Sequence, residues 1–197
     1  MVDLQPQPFS TASPVLANYS YSDIVNGFGY KNYYGLTSED STGTDFILTE
    51  QTNYTAVVLN DAADIDIDTP TFNTPQTVEG DIIIQMSYGG TNMAGSDNVR
   101  AVITVYHYDG SSETSLGTIT SPLKSGSGAG INTDRSTTMI LPIPRTVFAV
   151  GDLLRINVVS SGNNTLKLYL SPNNLGTPYT SALHTQFIAS IPFLLDL

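Results

Sequence analysis

Between Val99 and Ile119 the chain reads VRAVITVYHYDGSSETSLGTI, two strand-like runs on either side of Asp109-Gly110. Asp-Gly flanked by alternating apolar residues signals a hairpin, because a two-residue type I′ turn needs positive φ at both central positions. A turn that tight sets Tyr108 opposite Ser111, Tyr106 opposite Glu113, Val105 opposite Thr114 and Ile103 opposite Leu116. Ala101, Ile103, Val105 and Leu116 then share one face, which other apolar residues must cover. A lone hairpin is only marginally stable in water, so the remaining sequence is expected to supply more strands.

It does so with the same period of two. Strand-like runs occupy Tyr30–Leu36, Phe46–Glu50, Tyr54–Leu59, Asp81–Tyr88 and Phe187–Leu197. Asp64, Asp66 and Asp68 alternate with Ile65 and Ile67, which sends the isoleucines inward and the aspartates outward. A strand beginning at Thr137 is expected to stop at Pro142 and Pro144, since proline donates no ladder hydrogen bond. Leu154, Ile156 and Val158 are expected to form one buried layer with Leu166, Leu168 and Leu170 on a return strand. The glycine-rich stretch Ser121–Asp134 reads as a loop. A helical period is absent, apart from one short turn near Ser22–Asn26. Strands spaced by turns at roughly 8–15 residues are the mark of a sandwich or jelly roll. Residues 23–197 are therefore expected to form a single jelly-roll-like antiparallel β-sandwich. Residues 1–22 carry Pro6, Pro8 and Pro14, which favour an extended N-terminal arm over a helix.

Composition narrows the function classes. The chain of 197 residues has no cysteine, so disulfides and thiolate chemistry are excluded. Its 18 acidic against 7 basic residues give a net charge of −11, a field that repels nucleic acid. No apolar run approaches the ~20 residues of a membrane-spanning helix, and the first residues lack the basic and apolar regions of a secretion signal. His107 and His184 stand alone, without the neighbouring ligands a zinc site needs. His107, between two tyrosines on a strand, reads as a hydrogen-bonded or rim histidine. There is no Gly-x-Ser-x-Gly elbow. Ser121-Pro122-Leu123-Lys124 heads a glycine loop rather than the helix that the Ser-x-x-Lys motif needs. The Gly126, Gly128, Gly130 spacing lacks the helix and lysine of a phosphate loop. No catalytic residue and no cofactor is assigned, and the chain is read as non-enzymatic. Asp61, Asp64, Asp66 and Asp68 are the one metal candidate, for calcium. Alternating aspartates project in parallel and do not wrap an ion, so a solvated strand face is expected there.

Aromatic residues crowd the N-terminal region, and tyrosine suits interfaces because it joins apolar area to a hydroxyl. Phe9, Val15, Leu16, Tyr19 and Tyr21 of the arm, with Tyr33 and Tyr34, are the expected interface residues of a homo-oligomer. Three stretches, SDIVNGFGYKNYYGLTSED, VITVYHYDGSSETSLGTI and VFAVGDLLRINVV, together resemble the jelly-roll structural proteins of tailed-bacteriophage virions. That resemblance implies a capsid decoration or auxiliary head protein that self-associates, with a trimer as first expectation. It implies docking on major capsid or other virion proteins and location in the virion after synthesis in the host cytoplasm, with no nucleic-acid or membrane partner. The alternative is a carbohydrate- or receptor-binding β-sandwich module.

Overall fold

A computed structural model describes residues 28–37, 46–49, 58–62, 64–90, 93–126, 134–170 and 187–194. Among these residues there is no helix, and the chain is an all-β sandwich of antiparallel sheets, as its alternation predicts. Its strands are β1 (Phe28–Thr37), β2 (Phe46–Thr49), β3 (Val58–Ala62), β4 (Asp64–Asp68), β5 (Gln76–Gly90), β6 (Asn98–Tyr108), β7 (Glu113–Thr120), β8 (Lys124–Ser125), β9 (Asp134–Phe148), β10 (Leu153–Gly162), β11 (Leu166–Leu170) and β12 (Ile188–Leu194). The proposed arm, residues 1–22, lies outside the described residues.

One layer runs β9-β5-β12-β1, with β11 continuing the β12 side of β5 and β3 beyond it. The other runs β4-β10-β6-β7, with β8 also on β6. The short strand β2 pairs antiparallel with β1 and parallel with β4, so one continuous ladder folds over into both layers. Inward residues alternate as expected along the long strands: Ile82, Ile84 and Met86 on β5, Ala101, Ile103 and Val105 on β6, and Leu154, Ile156 and Val158 on β10. All of them belong to one buried cluster.

Three expectations change. The hairpin loop is longer than two residues, because the Asp109 carboxylate accepts the backbone N–H groups of Ser111 (2.9 Å) and Ser112 (2.8 Å) and both hydroxyls. Those bonds close residues 109–112 into an Asx-type turn and hold the carboxyl well below the usual carboxylate range. Tyr108 consequently pairs with Glu113 and Tyr106 with Ser115, and a bulge then sets Val105 opposite Gly117 and Ile103 opposite Ile119. The bulge turns Leu116 inward, so it joins the expected face by another register.

The second change concerns β9, which runs through both prolines to Phe148. Among the described residues it pairs with β5 alone, and Pro144 falls at a register shift between Val78 and Gly80. A missing donor is tolerated on an edge strand and at a bulge. Gly80 takes φ 112° there, which a side chain would oppose.

Third, Leu166–Leu170 does not return onto β10. β11 crosses to pair with β3 and β5, so Leu166 and Leu168 are buried from the opposite layer.

Candidate functional site

The inward alternation of β6 continues past Val105 to the mouth of the sandwich, where the next inward position is His107. Its ring centroid lies 4.4 Å from that of Phe148. Its Nε2 lies 2.6 Å from Oδ2 of Asp152. Asp152 is placed by the turn between β9 and β10. Gly151 takes φ 95°, and the same Oδ2 accepts the Ala149 N–H at 2.7 Å. The hydrogen bond from His107, and then the one from Ala149, hold the Asp152 carboxyl below its ordinary value.

The segment before β5 is laid over this turn. Phe72 exchanges backbone hydrogen bonds with Asp152 and Gly151, at 2.8 and 2.9 Å. The Thr69 hydroxyl oxygen accepts the Leu154 N–H at 3.0 Å. The Phe72 ring then meets Phe148 edge-on at 5.3 Å and Phe193 at 6.1 Å.

A carboxylate on one imidazole nitrogen fixes the ring and leaves the other nitrogen to exchange a proton. Nucleophilic catalysis also needs a hydroxyl or thiol at that second nitrogen. No such group hydrogen-bonds to His107 among the described residues. The pair can orient a group or move a proton, but it is not a complete nucleophilic triad among those residues.

A titration tests the pair. The folded carboxyl titrates below its ordinary 3.8, so Asp152 contributes stability that is complete above that value. That contribution is lost as pH falls through the lower, folded value. Asp152→Asn is therefore expected to flatten the dependence of Tm on pH below about pH 4. Thermal scans across that range check it, and an unchanged slope would refute it.

A second polar group faces outward from β4 and β10. Their antiparallel register sets Arg155 against Asp68 and Asn157 against Asp66, with Ile156 and Ile67 turned to the core. Arg155 grips Asp68 with two bonds of 2.7 Å, from Nε and Nη2. Its Nη1 reaches Glu113 at 2.5 Å and Asp66 at 3.3 Å, and the guanidinium lies 4.7 Å from the Tyr108 ring centroid. Asn157 donates to Asp64 and Asp66, both at 2.7 Å. The Asp68 carboxylate above all raises the Arg155 pKa further still.

The aspartates point outward as expected, and Arg155 and Asn157 engage them. Among the described residues no group of three or more His, Cys, Asp or Glu side chains could hold a metal ion. The Asp61 side chain is outside that description.

Of the expected interface residues, Tyr33 is 4% exposed, with its ring 6.4 Å from that of Phe193, so it belongs to the chain's own core. Tyr34 is half-buried. Phe9, Val15, Leu16, Tyr19 and Tyr21, like His184, lie outside the described residues. His107 is hydrogen-bonded at the rim, as read from sequence. Its partner Asp152 and the clamp at Arg155 were not foreseen. The available signal was parity: His107 shares it with Ala101, Ile103 and Val105, and Arg155 alternates with Leu154 and Ile156.

No protein-family model matches the chain, and no curated protein matches it. Its backbone does match solved structures. A CocE/NonD family hydrolase from Staphylococcus aureus aligns with 84% of this chain at 11% identity, with a TM-score of 0.56. An aminopeptidase from the marine-sediment archaeon Thaumarchaeota archaeon aligns with 86% at 10% identity and a TM-score of 0.58. An α-amino acid ester hydrolase aligns with 83% at 13% identity and a TM-score of 0.53.

The chain spans only 36–37% of the length of these proteins. Likeness at this identity shows the fold. It corrects the expectation of a non-enzymatic capsid decoration protein, because this sandwich occurs in hydrolases. The virion reading failed for a physical reason: period-two alternation and turn residues specify layers of strands, and different activities share such layers.

Proposed function

We propose that the chain is the β-sandwich module of a hydrolase acting on ester or amide bonds. The catalytic nucleophile is supplied by a unit beyond the residues described. The observation that carries this reading is the backbone likeness to three proteins titled as hydrolase, aminopeptidase and α-amino acid ester hydrolase. In each of them the aligned portion is about a third of the chain. The polar groups agree with a supporting part. His107 is fixed by Asp152 but lacks a hydroxyl partner among the described residues, and Arg155 is fully engaged by carboxylates.

Hydrolysis of aminoacyl p-nitrophenyl esters and p-nitroanilides tests the reading. The 197-residue chain alone is expected to show no turnover. The protein purified from its natural source under non-denaturing conditions, with whatever catalytic unit accompanies it, is expected to hydrolyse at least one of the two classes. Absence of hydrolysis from both preparations would sink the proposal.

A further inference from the structure

Asp109-Gly110 is a chemically weak link in an unfolded chain. The Gly110 nitrogen can attack Cγ of Asp109, because glycine brings no side chain to hinder the approach. An N–Cγ bond forms, and the carboxyl OH leaves with the Gly110 N–H proton as water. The product is a five-membered succinimide. Water reopens the ring, and its addition at the Asp109 backbone carbonyl leaves Gly110 joined through Cγ. That product is isoaspartate, whose backbone is one carbon longer.

Steric access stays open in the folded protein. Asp109 and Gly110 are exposed. Gly110 takes φ 89°, and a Cβ built on it would meet nothing within 4 Å. Crowding is therefore not the brake. The brake is the state of the leaving group. Oδ1 accepts the backbone N–H groups of Ser111 and Ser112, at 2.9 and 2.8 Å, and the Ser111 hydroxyl at 2.8 Å. Oδ2 accepts the Ser112 hydroxyl at 2.7 Å. Both oxygens are thus held as acceptors, the form that carries no proton. Departure as water needs a proton on one of them.

We propose that Ser111 and Ser112 lock Asp109-Gly110 against rearrangement to isoaspartate for as long as the hairpin stays folded. The lock protects more than the turn. An extra backbone carbon at Asp109 would displace the bond from the Asp109 N–H to the Ser112 carbonyl, now 3.2 Å. With it would move Glu113, which pairs with Tyr108 and bonds Arg155.

The test keeps the full chain at mildly acid pH and body temperature for weeks, beside the same chain unfolded in guanidinium chloride. Peptide mapping with electron-transfer fragmentation reads isoaspartate at residue 109. The reactive, protonated fraction falls about tenfold for each unit by which a carboxyl pKa is lowered. The folded chain is therefore expected to rearrange at least about tenfold more slowly than the unfolded one. Ser111→Ala combined with Ser112→Ala removes both hydroxyl bonds and leaves the backbone donors. This variant, checked for folding by circular dichroism, is expected to rearrange several times faster than the natural chain. Its Asp109 carboxyl is expected to titrate nearer the ordinary 3.8 in carbon-13 resonance spectra. Ser112→Ala alone removes the bond that lowers the Asp109 pKa most. It is expected to show part of both effects, and it replaces the double variant if that one fails to fold.

Equal rates in the folded and unfolded chains would overturn the proposal. So would a folded serine variant that rearranges no faster than the natural chain, because stiffness of the hairpin would then be the protection.

Discussion

Phe148→Ala is expected to cost about 3–5 kcal/mol and to lower Tm by roughly 10 °C or more. Phe148 is fully buried at the end of β9, where it takes the edge of Phe72 on one side and the His107 ring on another. Phe72 in turn touches Phe193, and Phe193 touches Tyr33. Truncation therefore removes the ring against which a chain of aromatic contacts is seated, and leaves a cavity that rigid strands cannot close. Phe72→Ala is expected to cost less, about 1–3 kcal/mol, because Phe72 is only half-buried. In a double-mutant cycle the pair should couple by about 0.5–1.5 kcal/mol beyond area burial. Urea unfolding of the single and double variants provides the measurement. A loss under about 1 kcal/mol for Phe148→Ala would show that this end of the sandwich repacks freely.

Arg155→Met should destabilise by about 2–4 kcal/mol. The figure lies between the fraction of a kcal/mol typical of exposed pairs and the ~3–5 kcal/mol lost when one partner of a buried pair is removed. Arg155 is 19% exposed and Asp68 25%, so solvent screens the pair only in part. Met retains the apolar stem, so the loss reports the charge rather than the packing. Without the guanidinium on which they converge, Asp66 and Asp68 of β4 and Glu113 of β7 repel one another. Arg155→Lys keeps the charge but cannot reproduce the two-pronged bond to Asp68, and is expected to recover less than half of the loss. Adding Asp68→Asn to Arg155→Met should relieve part of the repulsion. If the double variant is no more stable than Arg155→Met, the repulsion argument is wrong.

The layers were legible in the sequence because alternation acts locally. Ile65 and Ile67, Ile82 and Ile84, and Leu154 and Ile156 each declare an inward face without reference to a partner. Register was not legible. The hairpin slipped because Asp109 prefers to bond Ser111 and Ser112 over sitting in a two-residue turn. The strand stop at Pro142 failed because the penalty for a proline depends on whether a neighbour lies on its nitrogen side, a fact of topology. The crossing of β11 is of the same kind: Leu166 and Leu168 show which residues are buried, not which strand they join. The His107–Asp152 pair needed β6 and the β9–β10 turn to meet, and nothing in either segment names the other. Capsid and hydrolase sandwiches obey the same alternation, so the function read from that pattern had no physical anchor.

The place of β12 has a consequence for how the protein is made. It lies between β5 and β1, pairing Phe28 with Leu194 at one end and Ile84 with Ala189 near the other. Contacts this distant in sequence close slowly, because chain entropy is lost before they form. During synthesis at ~5–20 residues per second, β1 waits on the order of ten seconds or longer for its partner to emerge. From the time β5 emerges until the end of that interval, its Ile82–Ile84 stretch lacks the neighbour on its β12 side. The nascent chain thus presents an uncapped apolar strand to other nascent chains, and its yield in a cell is expected to rise when chaperones shield that strand until β12 arrives.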